Sequence, residues 1–253
     1  MTELVVKDLT VKAKDELLVD RASISLRTGE LVALLGPNGA GKTSLIRASL
    51  GLERAAGGNA RLDDQASDEV PPKERARKVS YLPQERPLAW PAQVRDVVAL
   101  GRFSHGVTLG KLSQPDADAV ERAMVACDLG HLAKRSVDTL SGGERAGMHC
   151  ARAFAAEAPL LVADEPTTAL DPRHQFRVMD LISRFVAKGG GALVILHDVQ
   201  LAAQYASRLV WMKDGRITAD GPSAETLTAE RLEETYGVKA KVNGLRIEME
   251  GAL

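Results

Sequence analysis

Apolar and polar residues alternate at the start of the chain: Leu4, Val6, Leu9 and Val11, then Ile24 and Leu26 set between Ser23, Ser25 and Arg27. A period of two turns one face of each segment inward and predicts half-buried strands. The pattern then changes. LVALL at 31–35 is an unbroken apolar run that ends in glycine and leads into KTSLIRASL, predicting a strand buried on both faces that feeds a loop and a helix. KVSYLPQ (78–84) predicts a further strand, after a polar stretch containing Pro71 and Pro72. From about 85 to 139 the spacing is helical: first AQVRDVVALGRF, then ADAVERAMVACDLG behind a capping signal at Ser113–Asp116, with Val120, Met124 and Cys127 on one face. Strand–helix alternation returns with PLLVADE (159–165), with RHQFRVMDLISRFVAKGGG, a helix expected to turn Phe176, Met179 and Val186 inward, and with ALVILHD. LVWMKDGRI and AKVNGLRIEM each place a Gly-containing turn between alternating segments and predict two hairpins. This order gives an α/β fold, a mostly parallel sheet covered by helices.

Composition narrows the partners. At 253 residues the chain fits one large α/β domain, or one domain with a lobe inserted into it. Thirty-three basic residues against thirty-four acidic ones leave no polyelectrolyte character that would draw it to nucleic acid or an anionic membrane. Cys127 and Cys150 have the spacing of neither a metal clip nor a disulfide framework, so a reducing cytosol is expected. His149 and Cys150 are helix neighbours that point in different directions, and His105 has no partner nearby in sequence, so no metal site is assigned to them. MTELVVKDLT does not read as a signal peptide, and no apolar run reaches membrane-spanning length; a membrane role would come through a partner.

The chemistry concentrates in three stretches. Gly36-Pro37-Asn38-Gly39-Ala40-Gly41-Lys42-Thr43 fits a phosphate-cradling loop between strand and helix: glycines let backbone N–H groups curl around anionic oxygens, and the helix N-terminus adds its positive end. Lys42 is placed for the β/γ-phosphates, Thr43 for Mg²⁺ and Ser44 for an outer phosphate oxygen. In LLVADEP, Asp164 ends a buried strand where it can hold Mg²⁺, and Glu165 follows it, placed to orient and deprotonate an attacking water. That favours hydrolysis over transfer to a second substrate. LSGGE, with Ser141, Gly142, Gly143 and Glu144, makes a second anion-binding helix start suited to a γ-phosphate.

One nucleotide does not need two such cradles from one chain. Here the sequence resembles the ATP-binding cassette family, whose motifs occur in the same order over nearly the whole length: the phosphate loop, Gln84 in YLPQ, the LSGGE signature, VADEP, TALD and His197 in LHD. The resemblance implies a P-loop NTPase core with an antiparallel β subdomain and an inserted helical lobe, a single domain of residues 1–253 with 1–84 and 140–253 as the nucleotide-binding core and 85–139 as the lobe. It implies ATP and Mg²⁺ as ligands, and a head-to-tail dimer in which the signature of one copy faces the phosphate loop of the other. It also assigns roles: Gln84 to Mg²⁺ and the attacking water, Asp171 to communication across the dimer, His197 to the γ-phosphate and water, with Glu165 as general base and Lys42 among the catalytic groups.

VRDVVALGRFSHG, DPRHQ, LHDVQLAAQYASRLVWMKDGRI and ERLEETYGV look most like the ATPase subunits of bacterial importers for iron-siderophore, haem or cobalamin-type cargo. Expected partners are then a second copy, transmembrane permease subunits and, indirectly, a substrate-binding protein, but no nucleic acid; the expected place is the cytoplasmic face of the inner membrane. The alternative is a soluble ABC-type ATPase in cofactor assembly or another non-transport role. Two departures from the family pattern stand out. The position at which relatives usually carry an aromatic residue that stacks on adenine falls near Ala13, where there is none. Ala146 and Gly147 stand where relatives commonly have polar or basic residues in the helix after the signature, where glycine should loosen it by about 1 kcal/mol. Trp90, followed by Val94, Val97 and Val98, predicts an apolar edge for a permease coupling helix.

Overall fold

The structure is a computed structural model and describes residues 2–84, 91–108 and 111–252. The chain divides into two compact units, Met1–Val70 with Gly191–Leu253, and Pro71–Gly190.

The first unit opens with β1 (Glu3–Ala13), β2 (Glu16–Arg27), β3 (Leu31–Leu35), α1 (Lys42–Ser49), β4 (Gly57–Leu62) and β5 (Gln65–Ala66). Strands β2, β1, β4 and β5, in that order, form an antiparallel sheet. The predicted alternation in β1 holds with one phase change: Leu4 and Val6 are buried, then Leu9 and Val11, three residues on instead of two. The pairing register shifts between Val6 and Leu9, and Asp8 inside that interval has φ 48, so the extra residue is absorbed by a bulge that restores the apolar face.

The second unit contains α2 (Pro72–Lys78), β6 (Val79–Leu82), α3 (Val94–Ala99), α4 (Gln114–Ala126), α5 (Gly142–Ala155), β7 (Leu160–Asp164) and α6 (Pro172–Ala187). β6 and β7 run parallel, from Val79 opposite Leu160 to Leu82 opposite Ala163. Helix α4 starts at the predicted cap, Ser113 accepting from the Asp116 N–H, and buries Val120 and Met124 with Cys127 just beyond its end. A buried guanidinium ties these helices together: Arg102 Nε donates to Asp116 at 2.9 Å, and its Nη1 to the Ala155 carbonyl and to Glu157, both at 2.9 Å. Asp116 is held below the usual carboxylate range by hydrogen bonds from Ser113 and then Arg102.

Two expectations change here. Val94, Val97 and Val98 are at most 1 % exposed, so α3 spends its apolar face on its own unit, whereas Phe103 just after it is 47 % exposed; Trp90 lies outside the described residues. In α6 the buried residues are Val178, Met179, Leu181 and Ile182, and Phe176, in the second turn, is 42 % exposed. Helix α5 runs unbroken through Ala146 and Gly147, both buried, and Gly147 faces Leu129.

The chain then returns to the first unit with β8 (Gly191–Ile195), α7 (Val199–Tyr205), β9 (Arg208–Lys213), β10 (Arg216–Pro222), α8 (Ser223–Thr226), α9 (Ala229–Tyr236), β11 (Val238–Asn243) and β12 (Arg246–Ala252). β3 lies between β8 and β9, parallel to both, and all five of its residues are buried, as the apolar run required. Both predicted hairpins form, β9 with β10 and β11 with β12. Among the described residues no helix is long and apolar enough to cross a membrane.

Candidate functional site

Register brings the first pair of predicted residues to one end. Leu34 of β3 pairs with Ile195 of β8, so Gly36 and His197 each lie two residues past paired positions at the same strand ends. In open α/β sheets that carboxyl end is where ligands bind. His197 is exposed there, and Asp198 behind it caps α7 by accepting from the Leu201 N–H at 2.9 Å.

The loop from Gly36 to Gly41 is braced by its own unit. Gly36 (φ 152) and Gly41 (φ 95) have conformations that L-residues rarely adopt, and a Cβ would fall 2.1 Å from the Met212 carbonyl oxygen and 2.2 Å from that of Leu18. Only glycine lets neighbouring backbone come so close. Gly215, at the β9–β10 turn, donates its N–H to the Ala40 carbonyl at 3.1 Å. Tyr236, the last residue of α9, accepts the Gly36 N–H on its hydroxyl at 2.9 Å, its ring set edge-on to the buried Trp211 at 6.4 Å between centroids. Burial pushes the Tyr236 phenol up to about 12, so it stays neutral. Lys42 is buried, its Nζ donating to the carbonyls of Gly36 and Pro37 at 2.7 and 2.8 Å.

This loop suits a polyphosphate. Helix α1 begins at Gly41 with neither a side-chain cap nor an acidic residue in its first turn, and Gly39 has open space where a side chain would be. By contrast α4, α5, α6, α7 and α9 are each capped by a side chain of this chain. Thr43 and Ser44 lie half-buried in the first turn of α1. Ala13 is exposed at the end of β1 and pairs with Glu16; neither is aromatic.

In the second unit the same register logic joins two more residues. Leu82 pairs with Ala163, so Gln84 and Glu165 again lie two positions beyond paired residues, and Gln84 Nε2 donates to Glu165 Oε2 at 2.7 Å. Thr168 Oγ1 donates to the same oxygen at 3.0 Å, and the Thr168 N–H to the Glu165 carbonyl at 3.3 Å. Glu165 has φ 48, a left-handed conformation that costs about 1–3 kcal/mol and persists only where surroundings enforce it. Asp164 is fully buried at the end of β7, with the Tyr81 hydroxyl 3.4 Å away, and its hard carboxylate oxygens are the donors Mg²⁺ prefers.

The signature turn is built as a capping box. Ser141 Oγ accepts from the Glu144 N–H at 3.3 Å, while Glu144 Oε2 accepts from the Ser141 N–H and hydroxyl, each at 2.8 Å. Those bonds hold the Glu144 carboxyl below its ordinary range. Ser141 and Gly142 are exposed, and so is Asp171, which caps α6 by accepting from the His174 N–H at 3.0 Å. Sequence reasoning missed Tyr236, Thr168 and His174. Gly36 and Tyr236 meet across 200 positions, a separation without a local signal; Thr168 and His174 stand in motifs whose neighbours drew the assignment.

A parallel-stranded α/β chain with a braced phosphate loop, and with a buried aspartate and a hydrogen-bonded glutamate at another strand end, is a nucleoside triphosphatase of the P-loop class. The family model described as ABC transporter matches residues 19–168, and the chain belongs to that family as one of its ATP-hydrolysing cassettes. It is 39 % identical to the hemin import ATP-binding protein HmuV of Plesiomonas shigelloides, over 93 % of this chain and 95 % of that protein. It is 35 % identical to the ferric enterobactin transport ATP-binding protein FepC of Escherichia coli (strain K12), over 96 % of this chain and 91 % of that one. Among solved structures it matches an inward-facing ABC transporter described as metal-chelate type, with a TM-score of 0.83 and 25 % identity over 99 % of this chain and 96 % of that one. A dimeric bacterial ABC transporter cassette shares the fold, with a TM-score of 0.75 and 23 % identity over 87 % of this chain and 98 % of the other.

Proposed function

We propose that this chain is the ATP-hydrolysing subunit of a bacterial importer for an iron-chelate or haem-type cargo, working as a head-to-tail pair with a second copy. The importers named for HmuV and FepC, each similar over almost its full length, support the cargo class. In this reading Gly36 to Ser44 hold the polyphosphate, with Lys42 on the β/γ-phosphates. Thr43, Asp164 and Gln84 hold Mg²⁺, which when bound neutralises charge on the phosphate oxygens. Glu165 takes the proton of the attacking water, Gln84 orients that water, and His197 holds water and γ-phosphate. Ser141, Gly142, Gly143 and Glu144 supply the closing helix start from the other copy, and Asp171 communicates across the pair. Residues 85–139 form the helical lobe between the two parts of the nucleotide-binding core.

The observation that carries the hydrolytic reading is the 2.7 Å bond from Gln84 to Glu165: the residue proposed as base and the residue proposed to sense its water are joined within one unit. The lobe also carries a cleft of about 330 Å³ lined by Arg95, Leu100, Phe103, Val107 and Leu112, where the exposed Phe103 offers an aromatic anchor for the permease. Through that contact the protein sits on the cytoplasmic face of the membrane, and the permease receives cargo from a substrate-binding protein.

The test is Glu165→Gln. It should keep ATP binding and lower turnover by roughly a hundred- to ten-thousand-fold, trapping an ATP-bound pair that elutes as a dimer with ATP and Mg²⁺. A variant that stays monomeric, in a transporter that also fails to retain ATP, would overturn the paired mechanism.

A further inference from the structure

The DPRHQ stretch contains a side chain to which the proposed function gives no role. Asp171, the cap of α6, receives two groups from one residue: the His174 N–H at 3.0 Å, and the His174 ring through Nδ1, which lies 2.9 and 2.8 Å from the two carboxylate oxygens. A carboxylate at Nδ1 fixes the proton there and with it the plane of the ring. The ring then reaches the signature turn. A Cβ built on Gly143 would stand 1.8 Å from His174 Cδ2, 2.2 Å from Nε2 and 2.4 Å from Cγ, so the imidazole fills the volume that any other residue at 143 would claim. Beside it, a Cβ on Gly142 would stand 3.8 Å from Leu170 Cδ2, and the Leu170 carbonyl is in turn held by Gln175 Nε2 at 3.1 Å. The two exposed segments that begin α5 and α6 therefore meet through Leu170 and His174.

We propose that His174 is a positioning residue: clamped by Asp171 and laid over Gly143, its ring makes the signature turn and the Asp171 cap one rigid surface. This rests on the proposed function, in which both segments face the second copy. Glycine at 143 is then demanded by the histidine as well as by the approach of a phosphate. A displacement of Asp171 would be carried by the ring to the backbone N–H groups at the start of α5, in the same chain.

A double-mutant cycle in the assembled transporter tests this, with kcat, KM for MgATP and thermal unfolding measured for Gly143→Ala, His174→Ala and the double variant. Gly143→Ala should lower kcat and melting temperature with little change in KM, because the added methyl drives the ring out of place. Adding His174→Ala should then cost nothing further and recover activity, the double variant exceeding the product of the single effects by at least about threefold in kcat, in the range found for residues in contact. His174→Asn, which keeps a donor at the Nδ1 position but removes the ring edge over Gly143, should relieve Gly143→Ala equally and retain more kcat than His174→Ala. Additive effects on kcat overturn the proposal, whether or not the melting temperatures couple. Ser141→Arg in the same assay separates the two levels: if it abolishes turnover while the cycle is additive, the signature reading stands and the role of His174 falls; if it leaves turnover intact, both fall.

Discussion

The phosphate loop and the signature turn are both glycine-containing helix starts, but they are finished differently. The first is closed off by its own unit: Lys42 is buried, Met212, Leu18 and Gly215 press on or bond the loop backbone, and Tyr236 holds the Gly36 N–H. The second leaves Ser141, Gly142 and Asp171 on the surface, held by short-range bonds that include the Ser141–Glu144 box and the Asp171–His174 clamp. Helix α1 carries no side-chain cap whereas α5 starts with a capping box. One helix start is uncapped and fixed in place; the other is capped at its Ser141 and Glu144 N–H groups and turned outward. In the proposed pair, the nucleotide is held by the first kind of site and completed by the second.

Altering either scaffold should break this contrast, most severely at the buried charge. Arg102→Ala would leave Asp116 buried without its cation in the unit that carries the signature, at a cost of about 3–5 kcal/mol. The melting temperature should fall by many degrees, and ATP hydrolysis should fail well below the wild-type limit. A change within a degree or two would show that Arg102 is dispensable. Tyr236→Phe is the matching test for the phosphate loop: it leaves the Gly36 N–H without its acceptor, a loss of about 1–3 kcal/mol. MgATP affinity should weaken by about tenfold, equivalent to 1.4 kcal/mol, with melting temperature affected less. Unchanged affinity by calorimetry would mean that the loop keeps its shape without the brace. The smallest effect is at Gly147, where a methyl would stand 3.9 Å from Leu129 Cδ2, an ordinary contact. Gly147→Ala should stabilise the signature helix by about 0.5–1 kcal/mol in chemical denaturation; destabilisation would show that the packing against Leu129 cannot accept it.

The legibility of these regions in the sequence follows from the range of the contacts. The phosphate loop, the strand ending in Asp164 and the cap at Ser141 are set by neighbours within a few positions, so glycine spacing and apolar runs were enough to place them. The alternation in β1 was readable too, although the bulge at Asp8 showed in sequence only as a three-residue step. Phe176 was misplaced because a 3.6-residue period fixes a stripe but not where along the helix a neighbour begins to cover it. The α3 valines were given to a partner because periodicity finds an apolar face without saying what covers it. The braces on the phosphate loop come from residues far along the chain, Gly215 and Tyr236, and no local pattern announces them.

The central claim is that the braced loop of one copy works with the outward-facing signature of another. Lys42→Ala and Ser141→Arg damage these two parts separately, so a dimer of the two variants contains one composite site with both parts intact and one with both altered. ATP retention should therefore be absent from either variant alone and should appear in the mixture, at up to one site per mixed dimer. With both variants carried in a Glu165→Gln background that blocks turnover, failure of the mixture to retain ATP while dimers with Glu165→Gln alone retain it would contradict the account.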